Sequence, residues 1–139
     1  MSDQDQIVEV FFYGLFMDEN LLREKGLDPR NRRLAELEGY ALMIGARATL
    51  VRRTGSSAHG VVFTLTQAEI DQLYSDPSVS MYRSEQVFVR TTNGSVAPAL
   101  CFNLPSPPDA DERNPEYAAK LKALGTRIGL PRDYVDVIK

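Results

Sequence analysis

After a polar start, the run Ile7 to Tyr13, IVEVFFY, is rich in β-branched and aromatic residues and stops at Gly14, which predicts a buried first strand ending in a tight turn. Asp18 is placed to cap a short helix carrying Leu21, Leu22 and Lys25, ended by Gly26. A polar loop of Asp28, Pro29, Arg30 and Asn31 follows. Arg33 to Leu37 and Tyr40 to Arg53 then read as a second extended region, bent at Gly39 and Gly45.

Within Met43 to Arg53, one pleat face carries Met43, Gly45, Arg47, Thr49 and Val51, and the other carries Ile44, Ala46, Ala48 and Leu50, the better core face. Gly45, Ala46 and Ala48 are poor strand formers, so their use here suggests close approach of another backbone or room for a ligand. The TGSS segment, Thr54 to Ser57, is expected to reverse the chain into the strand His59 to Leu65.

Thr66 with Glu69 three residues on forms a capping box for a helix whose apolar face is Ile70, Leu73 and Tyr74, and Asp76–Pro77 breaks it. Tyr82 to Thr92 alternates as a strand, Asn93–Gly94 is a hairpin turn, and Val96 to Leu104 returns as the partner strand. Leu104 to Asn114, with Pro105, Pro107 and Pro108 among polar residues, reads as a surface loop long enough to be a lid or an arm. Pro115 starts a last helix with an apolar stripe of Tyr117, Ala118, Leu121, Leu124 and Ile128, ended by Gly129. The tail LPRDYVDVIK can add a further helical turn.

At 139 residues, two cores would each be too small, and no repeat, linker or low-complexity block divides the chain, so a single domain over 1–139 is expected. With 43% hydrophobic and 25% charged residues, the composition is that of a globular protein and excludes a wholly disordered or fibrous chain. A net charge of −3 gives no electrostatic grip on nucleic acid or an anionic membrane. The acidic MSDQDQ start does not read as an export signal, and no apolar run reaches membrane-spanning length, which makes a cytoplasmic location the default expectation.

One cysteine, Cys101, rules out an intrachain disulfide, and one histidine, His59, cannot build a His/Cys zinc cage. Both lie in strand-like apolar settings, where Cys101 reads as a small hydrophobe and His59 as a hydrogen-bonded structural residue.

Taken in order and spacing, FFYG before a Met–Asp–Glu–Asn–Leu–Leu helix start, then GYAL, GARATL, HGVVFTLT, YRSEQVFV and a closing GLPRDYV, the sequence resembles the γ-glutamylcyclotransferase-like family, which includes the AIG2-like proteins. The resemblance runs from Phe11 to Val135. It implies an α+β fold: a compact mixed sheet closing toward a small barrel, flanked by helices, with a cavity at the end of the first strand. It also implies an activity in which the α-amine of a γ-glutamyl amide attacks the γ-carbonyl, yielding 5-oxoproline and a free amine. A carboxylate must take the ammonium proton and later deliver one to the leaving group. Backbone N–H groups of the glycine turn can hold a substrate carboxylate or the developing oxyanion. No cofactor or metal is required.

The sequence departs from the family pattern in two places. Where Tyr–Gly–Ser/Thr–Leu is usual, the turn reads Tyr13–Gly14–Leu15–Phe16, which loses a side-chain hydroxyl and keeps the backbone donors. Enzymatic members carry an acidic residue, typically Glu, after the helix that follows the HG strand. Here no glutamate lies between Glu69 and Glu85, and Asp76 is the carboxylate in that interval that follows the helix.

Asp76 and Glu85 are thus the candidate catalytic carboxylates, Asp76 with the alternative of a turn former and Glu85 with that of a solvated strand residue. Tyr13, Gly14, Leu15 and Phe16 are the candidate binding turn. Arg47 can aim its guanidinium at a carboxylate or sit in a surface ion pair. Tyr82 belongs by resemblance near the cavity mouth, or else in the core.

Two readings of function follow, an enzyme acting on small γ-glutamyl amines and a non-catalytic protein binding a small carboxylate on the same scaffold. A third, a protein-binding domain using the arm at Pro105 to Pro108, has weaker support. The partner expected under the first two is a small carboxylate-bearing molecule. The oligomeric state is left open.

Overall fold

A computed structural model describes residues 6–109 and 111–138. Five strands, β1 (Ile7–Phe12), β2 (Arg30–Ile44), β3 (Ala48–Thr66), β4 (Arg83–Thr91) and β5 (Val96–Asn103), form a closed barrel in the order β1-β3-β2-β4-β5. Closure comes from β1, which pairs antiparallel with β3 from Ile7↔Thr66 to Phe12↔Val61 and parallel with β5 at Val10↔Leu100 and Phe11↔Cys101. Val10, Phe11 and Phe12, at the C-terminal half of β1, are buried whichever face they point to, which is why this end of the strand reads as an unbroken apolar run.

Among the described residues four α-helices flank the barrel: α1 (Glu19–Glu24), α2 (Gln67–Leu73), α3 (Pro115–Ile128) and α4 (Arg132–Asp136). Their ends follow the expected chemistry. Asp18 accepts from the Asn20 N–H, Thr66 and Glu69 make the reciprocal capping box, Asn114 caps α3 ahead of Pro115, and Gly129 ends it in the left-handed conformation. Among the described residues no helix is long and apolar enough to cross a membrane.

The expected reversal at Thr54 to Ser57 is corrected by the structure. The chain reverses at 45–47 instead, and β3 runs on through the TGSS segment as a bulge. In the β2–β3 register, Glu38↔Ser57 is followed by Tyr40↔Arg52, so four residues of β3 face one of β2. Gly55 (φ +86°) takes up the excess chain there, opposite Gly39 (φ +85°). The unbroken alternation expected over Met43 to Arg53 fails for the same reason: Ile44, Ala48 and Leu50 are buried as expected, Ala46 is exposed on the turn, and Thr49 is buried. The Asn93–Gly94 hairpin joins β4 to β5 as expected, with Gly94 at φ +87°.

Two small-residue positions owe their identity to space. A Cβ on Gly60 would strike the Phe12 carbonyl, because β1 and β3 approach closely there. At Gly45 it would strike Pro108 and the Glu112 carboxylate. The proline-rich arm therefore lies against the β2–β3 turn, where Glu112 accepts the Ala46 N–H (3.1 Å) and Asn114 Nδ2 donates to the Gly45 carbonyl (3.1 Å).

Candidate binding cavity

A cavity of about 500 Å3 opens at the C-terminal end of β1. Its walls come from the end of β1 and the following Gly14 turn, the β2–β3 turn, the end of α2, the loop before β4, the end of β5 and the start of α3. All of these meet because β1 sits between β3 and β5 and delivers its C-terminus to the barrel rim.

Of the residues expected to bind, Tyr13, Gly14, Leu15, Phe16, Arg47 and Tyr82 all line this cavity. Tyr13 Oη donates to the Phe102 carbonyl (2.7 Å), and Tyr82 Oη donates to the Ala48 carbonyl. Arg47 reaches the mouth because it lies in the turn, not because it shares a pleat face with Thr49. Its Nε donates to the Ser78 carbonyl (2.9 Å), which leaves the two NH2 ends of the fork open.

Gly14 has φ −113°, which other residues adopt, so what the position requires is space: a Cβ would sit 2.6 Å from Tyr117 Oη. The Leu15 N–H donates to that same oxygen (3.3 Å), and the Gly14 N–H has no partner among the described residues.

The two candidate carboxylates are elsewhere. Asp76 is exposed, and its Oδ1 accepts from the Ser78 N–H (2.9 Å) and Oγ–H (2.8 Å), bonds that hold the carboxyl below its usual range. It shapes the loop that brings Ser78 to the cavity and does not face the cavity itself. Glu85 does turn inward with Val87, as the barrel's curvature requires, but it lies in a separate recess of about 220 Å3 with Tyr40, Arg52 and Arg83. Its Oε1 accepts from Asn103 Nδ2 (2.9 Å), and Asn103 Oδ1 in turn accepts the Leu50 N–H (3.0 Å).

Among the described residues the cavity lining contains no carboxylate. Asp76, the candidate offered for the acid after this helix, is off the cavity wall, and the residue from the end of α2 that does line it is Tyr74. Its ring stacks on Phe102 with centroids 4.0 Å apart and meets Phe16 edge-on at 6.2 Å. Tyr74 and Tyr117 read from sequence as members of apolar helical stripes, and Phe102 and Lys25 carried no signal. The available clue is that a tyrosine on a buried stripe still has a hydroxyl to place.

Burial raises the pKa of all four cavity tyrosines, pushing Tyr82 up to about 12, so each stays a neutral phenol at physiological pH. The cavity thus offers hydroxyl and N–H donors, aromatic walls, and the cations Lys25 and Arg47 at its edge, but no proton acceptor poised near neutrality.

The remaining candidates lie outside it. Cys101 is fully buried, and burial pushes its thiol up to about 12. His59 packs edge-on to Tyr134 (4.9 Å) with its Nε2 3.9 Å from Glu36, and burial lowers its basicity.

A family model described as gamma-glutamyl cyclotransferase, AIG2-like, matches residues 10–120. No curated protein sequence matches the chain. Among solved structures, a gamma-glutamyl cyclotransferase is similar at 19% identity over 96% of this chain and 89% of its own, with a TM-score of 0.80. An uncharacterised protein from Homo sapiens is similar at 20% identity over 96% and 88%, with a TM-score of 0.78. YkqA from Bacillus subtilis is similar at 21% identity over 94% of this chain and 52% of its own, with a TM-score of 0.75. At these identities the likeness is one of fold.

Proposed function

Starting from the premise that this chain belongs to the gamma-glutamyl cyclotransferase, AIG2-like family, we propose that it binds a small carboxylate of γ-glutamyl size in the barrel-rim cavity without turning it over. The observation that carries this reading is the lining itself: an arginine, a lysine and an open Gly14 N–H beside aromatic walls, and no carboxylate. The anion goes to the Gly14 N–H and the Arg47 guanidinium, whose planar fork suits a carboxylate. The organic body packs on Phe16, Tyr74 and Phe102, where apolar burial contributes about 25 cal/mol per Å2.

Cyclisation needs the α-amine freed of its proton. With Asp76 tied to Ser78 and Glu85 in another recess, nothing in the cavity takes it. General acid and base catalysis contributes about 10²–10⁴-fold, so turnover should fall by about that factor against an enzyme that has the carboxylate.

The experiment is paired. NMR titration with γ-glutamyl amino acids and simple carboxylates should shift Gly14, Leu15 and Arg47, while 5-oxoproline release is absent or at least about 10²-fold slower than that of an enzyme with the carboxylate. Tyr74→Glu, which puts a carboxylate into the cavity wall, should raise that rate. Robust 5-oxoproline release by the unaltered protein would overturn the non-catalytic reading in favour of an enzyme, and Asp76→Asn and Glu85→Gln would then be assayed first.

A further inference from the structure

The hydrogen-bonding groups of the cavity are lopsided. Tyr13 and Tyr82 give their protons to the Phe102 and Ala48 carbonyls. Tyr117 Oη accepts from the Leu15 N–H, but its own proton goes to no acceptor among the described residues. The Tyr74 hydroxyl has no hydrogen-bond partner of either kind among them, although its ring is fixed by stacking on Phe102 and its side chain lines the cavity. Together with the Gly14 N–H, Lys25 and Arg47, these are unspent donors. The side-chain acceptors in the lining are the neutral hydroxyl oxygens of Tyr13, Tyr74, Tyr82, Tyr117 and Ser78, and among the described residues no anionic one lines the cavity.

A zwitterionic amino acid fits such a site poorly. Its ammonium brings a positive charge into a space with no anionic partner among the described residues, next to two cations. Taking a charge from water into partly apolar surroundings is costly unless it is paired. An aromatic face can attract an ammonium. Here, however, Tyr74 and Phe102 present their faces to each other, 4.0 Å apart and 15° from parallel.

The geometry points to a narrower ligand class: carboxylates with an apolar or aromatic body whose nitrogen is acylated, hence uncharged. The carboxylate lies by Arg47 and the amide carbonyl accepts from the Tyr74 or Tyr117 hydroxyl. This rests on the small-carboxylate reading above and sharpens it, since it ranks free amino acids, γ-glutamyl ones included, below their acylated counterparts.

The full chain is titrated by NMR with N-acetyl-L-phenylalanine, L-phenylalanine and 3-phenylpropanoate. The acylated compound should bind at least about tenfold tighter than the amino acid, with shifts at Gly14, Leu15, Phe16 and Arg47. In Tyr74→Phe or Tyr117→Phe, the affinity ratio of N-acetyl-L-phenylalanine to 3-phenylpropanoate should shrink by about threefold to tenfold, the worth of one hydrogen bond. Equal binding of the acylated and free amino acid, or an unchanged ratio in both variants, overturns the inference and leaves small-carboxylate binding standing. Failure of these three ligands and of γ-glutamyl amino acids to shift the cavity residues overturns both.

Discussion

Gly14 and Tyr117 are coupled through a distance that a single methyl group would close. The Gly14 Cβ position lies 2.6 Å from Tyr117 Oη, the flexible end of nothing but a rigid ring. Gly14→Val should therefore weaken carboxylate binding more than it weakens the fold. Gly14→Ala should be less damaging in a Tyr117→Phe background than the two single changes sum to, as urea unfolding of the four proteins would measure. Gly60 is the contrasting case, because what a Cβ meets there is the backbone carbonyl of Phe12. Gly60→Ala should cost about 1–3 kcal/mol of stability, as overpacking typically does, with no partner substitution able to relieve it.

His59 sets a pH dependence. Burial lowers its basicity in the folded protein, so the unfolded chain binds the proton more readily. Stability is then full above the unfolded value of about 6.5 and is lost as pH falls below it toward the depressed folded value. Thermal unfolding between pH 5 and 7.5 should show this slope, and His59→Gln should flatten it. Parallel profiles for the two proteins would rule the assignment out.

At the scale of elements, Pro108, Glu112 and Asn114 of the arm form one unit with the β2–β3 turn. Asn114 serves both, capping α3 through the Tyr117 N–H (3.1 Å) and donating to the Gly45 carbonyl (3.1 Å). Asn114→Ala should lower stability by about 1 kcal/mol through the lost cap. It should also loosen the turn that carries Arg47, weakening carboxylate binding in the same titration. Helices were legible from sequence because their ends are written in local chemistry, as at Asp18, Thr66–Glu69, Pro115 and Gly129. The β2–β3 reversal was not, since a bulge and a hairpin turn both use glycine at positive φ and polar neighbours. Choosing between Gly45 and Gly55 depends on what packs there, and at Gly45 that is an arm more than 60 residues away in sequence. The same limit hid the site's character. The Tyr13–Phe16 turn and Arg47 were readable, but which of Asp76, Glu85 and Tyr74 faces the cavity is decided by barrel curvature and loop course, not by spacing.

For the whole molecule, closure through β1–β5 ties the first strand to the last, so neither half of the barrel has a complete core without the other. The single-domain expectation then predicts one cooperative transition, with backbone and aromatic circular dichroism lost together on heating. Separate midpoints would count against it. The aromatic content of the cavity also equips the protein with an optical reporter. The sequence has no tryptophan, so its intrinsic fluorescence comes from six tyrosines, and four of them, Tyr13, Tyr74, Tyr82 and Tyr117, line the cavity. Most of the emitting rings therefore stand where a ligand would arrive, and occupancy should be visible as a change in emission without any label.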